Sequence, residues 1–194
     1  MSSSDELTSL RGKLLIAMPQ MSDSRFAEAV IYLCEHTPEG AMGLVINKDI
    51  EVISMTELMG QLSISIPEPE KDRLTNCFVG AGGPVEQNRG FILHSNEYLK
   101  EESLSVSDQL AMTATLEILQ DIANGQGPAS CLIALGYSGW SELQLDRELQ
   151  ENAWLIVDAD QDLLFNHPRS EVWGAALAKL GISPELLSSE IGRA

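Results

Sequence analysis

Apolar and polar positions alternate along this chain in short blocks, each the length of a strand or a short helix. Lys13 to Ala17 is an apolar run stopped by Pro19, which predicts a first strand. Ala29 to His36 and Ala41 to Asn47 are two β-rich runs joined by Thr37-Pro38-Glu39-Gly40, whose Pro and Gly mark a turn. Together they predict an antiparallel hairpin. Ser54-Met55-Thr56-Glu57 has the capping-box pattern, in which Ser and Glu satisfy free amides at a helix start, so a short helix is predicted through about Leu62. Ile66 to Asp72 carries Pro67, Pro69 and four charges and predicts a surface loop, not a domain boundary.

Asn76 to Val79 and Arg89 to His94 predict strands on either side of a Gly-Gly-Pro loop. Thr113 to Asn124 puts Leu116, Leu119, Ile122 and Ala123 at helical spacing, and Asn124-Gly125 can end that helix. Ala129 to Leu135 is almost wholly apolar, which predicts a central strand covered on both faces. Ser141-Glu142-Leu143-Gln144 again resembles a capping box. Trp154 to Val157 predicts a late strand, and Ser170 to Leu180 a closing helix ended by Gly181. Early hairpins followed by strand–helix alternation predict an α+β fold with a largely antiparallel sheet and helices packed around it.

Composition narrows the picture. A chain of 194 residues predicts one domain, since domains usually run to ~100–200 residues. Residues 1–10 are expected to be flexible. Glycine aside, no apolar run exceeds six residues (Ala29 to Cys34), far short of the ~20 that a membrane helix needs. The N-terminus has neither the basic nor the apolar segment of a secretory signal, so a soluble, cytoplasmic protein is expected.

Charge excludes more. Twelve basic residues against 29 acidic ones give a net charge of −17. Nucleic-acid affinity comes largely from Lys and Arg neutralising phosphates. Here the basic residues are scattered, with only Arg11/Lys13 and Lys71/Arg73 close in sequence, so direct DNA binding is not expected. Cys34, Cys77 and Cys131 are widely spaced inside apolar segments and read as reduced thiols in a core. Cys34 and His36 would share one face of a strand, half of a metal site, but no further ligands accompany them. No cofactor and no metal are expected.

The candidate chemistry lies in two glycine loops. Gly136-Tyr137-Ser138-Gly139-Trp140 sits between the apolar run ending at Leu135 and a helix-like segment (Ser141 to Glu151), which predicts a turn at a strand's carboxyl end. Gly80-Ala81-Gly82-Gly83-Pro84-Val85 has the same character and leads to the strand ending at His94. These loops and His94 are predicted to meet at one cleft, with Tyr137 and His94 as its hydrogen-bonding groups; the alternative is two structural turns on opposite edges. A nucleophile elbow, G-x-S-x-G, is the nearest catalytic pattern, and Asp158, Asp160 or Asp162 before His167 even gives the Ser…Asp…His order. The second glycine falls at 139, however, and position 140, where that elbow needs a small residue, is Trp. A hydrolase using Ser138 or His94 is therefore the alternative to a binding protein.

Read together and in order, several segments resemble the YqgE/AlgH family of bacterial proteins, from about Gly12 to the C-terminus. They are Leu14 to Pro19, Gly40 to Asn47, Gly82 to Val85 with Phe91 to His94, Gly136 to Trp140 with Gln144-Leu145, and the tail Leu180 to Ile182 with Gly192 to Ala194. The resemblance implies a single α+β domain with a bifurcated sheet, part of it closed into a small barrel and wrapped by helices. The family is often labelled a transcriptional regulator, after a link to alginate production, and has no established enzymatic activity. Its recurrent residues fall here on Asn47, Gly82, Gly83, Pro84, His94, Gly136, Tyr137, Gly139, Trp140 and Gln144, which makes them the expected ligand-binding set. The ligand implied is a protein or a small molecule. Two departures stand out: Asp49 replaces a proline, and Ser141 to Leu143 replaces a more glycine-rich stretch, which should stiffen that loop into a helix start.

Overall fold

A computed structural model describes residues 9–49, 53–74 and 77–189. In chain order come β1 (Lys13–Ala17), β2 (Val30–Thr37), β3 (Gly40–Val45), α1 (Met55–Gln61), α2 (Glu68–Leu74), β4 (Phe78–Ala81) and β5 (Val85–Ser95). They are followed by β6 (Leu104–Ser105), β7 (Leu110–Thr113), α3 (Leu116–Ala123), β8 (Cys131–Ser141), α4 (Gln144–Gln150), β9 (Trp154–Asp158), α5 (Val172–Lys179) and α6 (Pro184–Ser189). The strands form one sheet in the order β6-β7-β5-β8-β3-β2-β1-β9, with β4 added beside β8. Every pairing is antiparallel except β4 with β8. The sheet curls into a half-barrel, and the class is α+β, as the strand and helix patterns predict.

The sheet forks along β8. Phe78–Ala81 of β4 lie beside Leu132–Leu135, and Gly40–Gly43 of β3 lie beside Ser141–Ser138 on the same edge. Leu132 and Ala134 point into one core, with Leu14, Tyr32, Leu44, Phe91 and Leu93, closed from outside by Val172, Ala176 and Leu177 of α5. Ile133 points into a second core with Val79, Ile92 and the buried faces of α1 and α3. That two-sided burial is why the run reads as continuously apolar. A third core packs Ile31, Leu33, Val45 and Leu145 around Trp140 and Trp154.

Gly136 is where the expected turn becomes a continuation. Its φ of +75° is the left-handed value that a bulge in an antiparallel strand requires. The bulge reverses the side-chain alternation: before it even-numbered residues face the main core, after it Tyr137 does, and Trp140 faces the third core. Residues 137–141 therefore run on as strand, finding new backbone partners on β3 instead of turning into a helix. A single left-handed residue kinks a strand; it does not reverse one.

Other boundaries move for local reasons. The segment predicted as a loop at Ile66 to Asp72 is mostly helix α2, because Pro69 falls in the first turn, where a missing N–H costs nothing. Glu68 and Glu70 open that turn and Lys71 and Arg73 close it, pairing as Glu68–Lys71 and Glu70–Arg73. Thr113 ends β7, and α3 starts only at Leu116. The capping box at Ser54 forms fully. The one at Ser141 does not: Gln144 Oε1 accepts from Ser141 N at 3.0 Å, but Ser141 ends β8 and Leu143, at φ 54°, precedes the helix. The predicted strand start at Asn76 lies outside the described residues, as do residues 1–8 of the N-terminal segment and the Gly192 to Ala194 tail. Ser9 and Leu10 are tied to His36, whose Nδ1 accepts from Leu10 N at 3.0 Å. Among the described residues no helix is long and apolar enough to cross a membrane.

Candidate functional site

The two glycine loops do meet. Gly82 N donates to Leu135 O, and Gly82 O accepts from Val45 N, both at 2.8 Å, so Gly82 stitches the fork shut. Gly83 lies against the Tyr137 backbone so closely that a Cβ there would collide with it. Gly136 in turn faces Gly83 O and Val85 O, and a Cβ on it would sit 2.5 and 2.8 Å from them. The junction is backbone against backbone, and its product is the placement of Val85, Tyr137, Gly139 and Trp140.

Those residues line a groove of about 750 Å³ at the mouth of the half-barrel. Met42, Phe91, Met112 and Tyr137 form its apolar floor, their far sides packed on the main core. Phe91 and Tyr137 meet edge to face, centroids 5.6 Å apart, and the Arg89 guanidinium lies 5.0 Å over the Phe91 ring. Glu35, Glu39 and Glu86 stand on the rim. A register shift between Leu33 and Glu35 is what turns Glu35 outward beside Met42. Arg89, the one cationic side chain of the lining, pairs with Glu86 at 3.4 Å. The groove is thus apolar below and net acidic above, within the ~300–1,000 Å³ usual for ligand sites.

On the other side of Gly139 and Trp140 lies a second groove of about 500 Å³, which takes in Pro84, Gln144 and Trp154. Glu148 organises it. Its Oε2 accepts from Trp140 Nε1 at 2.9 Å and from Trp154 Nε1 at 2.8 Å, while Oε1 accepts from Gln144 Nε2 at 2.9 Å. Phe26 meets Trp154 edge to face, with centroids 5.7 Å apart. Gln144 therefore acts by holding Glu148 and the end of β8.

His94 and Asn47 stand elsewhere. The register pairs His94 with Cys131 and Gly90 with Leu135, which puts Gly136 about 16 Å up the strand from His94. The expected convergence of His94 with the two loops is thus corrected by strand length. His94 is fully buried; its Nδ1 bonds Ser95 O at 2.9 Å and its Nε2 bonds Thr113 Oγ1 at 2.8 Å. Asn47 joins β2 to the end of β3, with Oδ1 accepting from Val30 N at 2.8 Å and Nδ2 donating to Glu28 O at 2.9 Å. Ser138 is buried and donates to Gly82 O at 3.3 Å, and His167 pairs with Asp162 beside a different groove. No nucleophile–base pair results, so nothing in the geometry supports a hydrolase built on Ser138.

Burial holds the His94 imidazole below the ordinary histidine value. As pH falls, the unfolded chain therefore takes up its proton first, so stability is whole above about pH 6.5 and declines below it. Urea midpoints between about pH 8 and pH 5 should show that acid slope, and His94→Gln should flatten it. A slope of opposite sign would show the ring charged in the fold.

Sequence patterns singled out Tyr137, Gly139 and Trp140 but missed Met42, Met112, Arg89, the acidic rim and Glu148. Neither Glu35 nor Glu148 belongs to a motif; Glu148 sits at i+4 from Gln144, the one local signal that could have marked it.

Comparison with known proteins bears on the whole chain. A family model described as AlgH-like matches residues 14–185. A UPF0301 protein of Jannaschia sp. (strain CCS1) is 52% identical over 187 residues, covering 95% of each chain. One of Rhodospirillum rubrum is 50% identical over 185 residues, covering 95% of this chain and 94% of its own. The solution structure of the AlgH protein from Pseudomonas aeruginosa matches with a TM-score of 0.76 at 40% identity, over 97% of each chain. The crystal structure of DIP2367 from Corynebacterium diphtheriae, at 18% identity over 91% of this chain and 88% of that one, shares the fold with a TM-score of 0.69.

Proposed function

This chain belongs to the AlgH-like family, and from that premise we propose that it works by binding rather than by catalysis. The site is the mouth groove, and the ligand has an apolar body and a positive charge. The observation that carries this reading is the pairing of an apolar floor (Met42, Phe91, Met112, Tyr137) with a rim of three glutamates. An alkyl or aromatic body gains by leaving water for that floor, at roughly 25 cal/mol per Å² of apolar surface. A cationic head gains on the rim, where Glu35 and Glu39 remain after Arg89 pairs with Glu86, so the net charge there opposes an anion. A regulatory role then runs through this ligand, or through a partner that presents the same chemistry on a basic segment. Direct contact with DNA is not part of the reading, because a net charge of −17 opposes approach to a polyanion.

The test is a titration followed by Trp fluorescence with four probes: decylammonium, decanoate, the peptide Leu-Lys-Leu-Lys-Leu, and duplex DNA. Decylammonium should bind at least about tenfold tighter than decanoate, which has the same tail and the opposite charge, with the difference shrinking as salt is added. The peptide arm separates a protein partner from a small molecule. Equal affinity for the two tails, or tight salt-sensitive DNA binding, would contradict the reading.

A further inference from the structure

At the other end of β8, two of the three cysteines are neighbours. Phe78 pairs with Leu132 in the parallel ladder, so Cys77, one residue earlier, stands opposite Cys131. Their sulfurs are 3.2 Å apart with no bond between them. Adjacent strands lie about 4.8 Å apart, inside the roughly 4.4–6.8 Å window of Cα separations that a disulfide spans. Closing from 3.2 Å to a bond of about 2.05 Å therefore needs side-chain rotation and no movement of the backbone.

Access and polarity distinguish this pair from Cys34. Both cysteines line a cavity of about 240 Å³ with Arg73, Pro128 and Ser130, and both are only half-buried. Cys34 is fully buried in the main core, and burial pushes its thiol up to about 12. All three are reduced, as expected, but Cys77 and Cys131 pack at the edge of the second core instead of inside one.

We propose that Cys77 and Cys131 form a reversible dithiol–disulfide site, in which one attacks a low-molecular-weight disulfide and the other resolves the product. In the first step the thiolate of one cysteine bonds to one sulfur of the reagent disulfide, and the other sulfur leaves as a thiol after taking a proton. In the second, its neighbour gives up a proton and attacks that protein sulfur, expelling the second thiol. Two protein thiols are oxidised by two electrons, and one reagent disulfide is reduced to two thiols. Either sulfur can donate across the 3.2 Å contact, so either thiol can attack first with its neighbour placed to resolve the product. The new bond would tie the start of β4 to the start of β8 at the open end of the fork. This inference stands apart from the mouth groove and does not depend on it.

Glutathione disulfide added to the intact, folded chain, followed by peptide mapping, tests it. The expected product links Cys77 to Cys131 with loss of two hydrogens, leaves Cys34 a free thiol, and is reversed by dithiothreitol. Alkylation at both linked positions should fall by about tenfold or more. In Cys131→Ser the mixed disulfide should persist on Cys77, and in Cys77→Ser it should persist on Cys131, because each variant lacks the resolving thiol. Wild-type protein that keeps both thiols alkylatable after oxidation, or that accumulates a glutathione mixed disulfide on either cysteine, would overturn the proposal without recourse to any variant.

Discussion

Replacing Gly136 by Ala should cost about 3 kcal/mol or more of folding stability, while the same change at Gly181 should cost about 1 kcal/mol. The two glycines have nearly the same left-handed backbone, φ of +75° and +72°. They differ in what surrounds them. A Cβ on Gly136 would stand 2.5 Å from Gly83 O and 2.8 Å from Val85 O, whereas a Cβ on Gly181 would meet nothing within 4 Å. The conformational penalty is therefore shared, and the difference isolates the close approach of the two glycine loops. Gly83 and Val85 can retreat only by giving up the pairing that closes the fork. Urea unfolding of both variants reads the difference directly. Equal losses would mean that the junction yields easily and that the fork is not fixed by it.

The second large effect is expected at Glu148. Its carboxylate accepts from both indoles, and Trp140 and Trp154 are only 7% and 3% exposed, so water cannot readily replace it. Glu148→Ala should cost about 3 kcal/mol, since a buried donor left unpaired costs about 1–3 kcal/mol. Glu148→Gln keeps one acceptor oxygen for the indoles and turns an amide toward Gln144, so its loss should be about 1 kcal/mol. Denaturant curves give both values, and Trp emission should move more in the alanine variant. If the two variants lose the same amount, the indoles do not depend on that oxygen.

Sequence reading succeeded where the signal was local. The strand at Lys13 to Ala17, the Ser54 capping box and the two-sided apolar run of β8 each follow from residues near one another. It failed where a local signal has two outcomes. Gly136 permits a left-handed backbone, but whether the chain then turns or carries on depends on β3 offering free edge groups, which lie about a hundred residues away in sequence. Pro69 breaks a helix in its middle and starts one at its end, and only the charges at 68, 70, 71 and 73 tell which. The site divides in the same way. Tyr137, Gly139 and Trp140 were visible because glycines flank them, whereas Met42, Met112 and Glu35 reach the groove through strand pairing. A position at a strand end suggests a site residue at His94, but the register leaves Leu132 to Leu135 of β8 between its partner Cys131 and Gly136. The thiol pair was hidden because a parallel ladder between 77 and 131 leaves no spacing motif.

The most direct test of the mouth groove as the binding site is NMR mapping of a decylammonium titration on the wild type and on Gly139→Val. Gly139 has no strained backbone, and a Cβ there would meet only the edge of the Tyr137 ring at 3.4 Å. Valine suits a strand, so stability should change by less than about 1 kcal/mol while its methyls fill the groove beside Tyr137. The account predicts wild-type shifts concentrated on Met42, Phe91, Met112 and Tyr137, and an affinity at least about tenfold weaker in the folded variant. Shifts scattered away from those residues, or unchanged affinity in Gly139→Val, would contradict it.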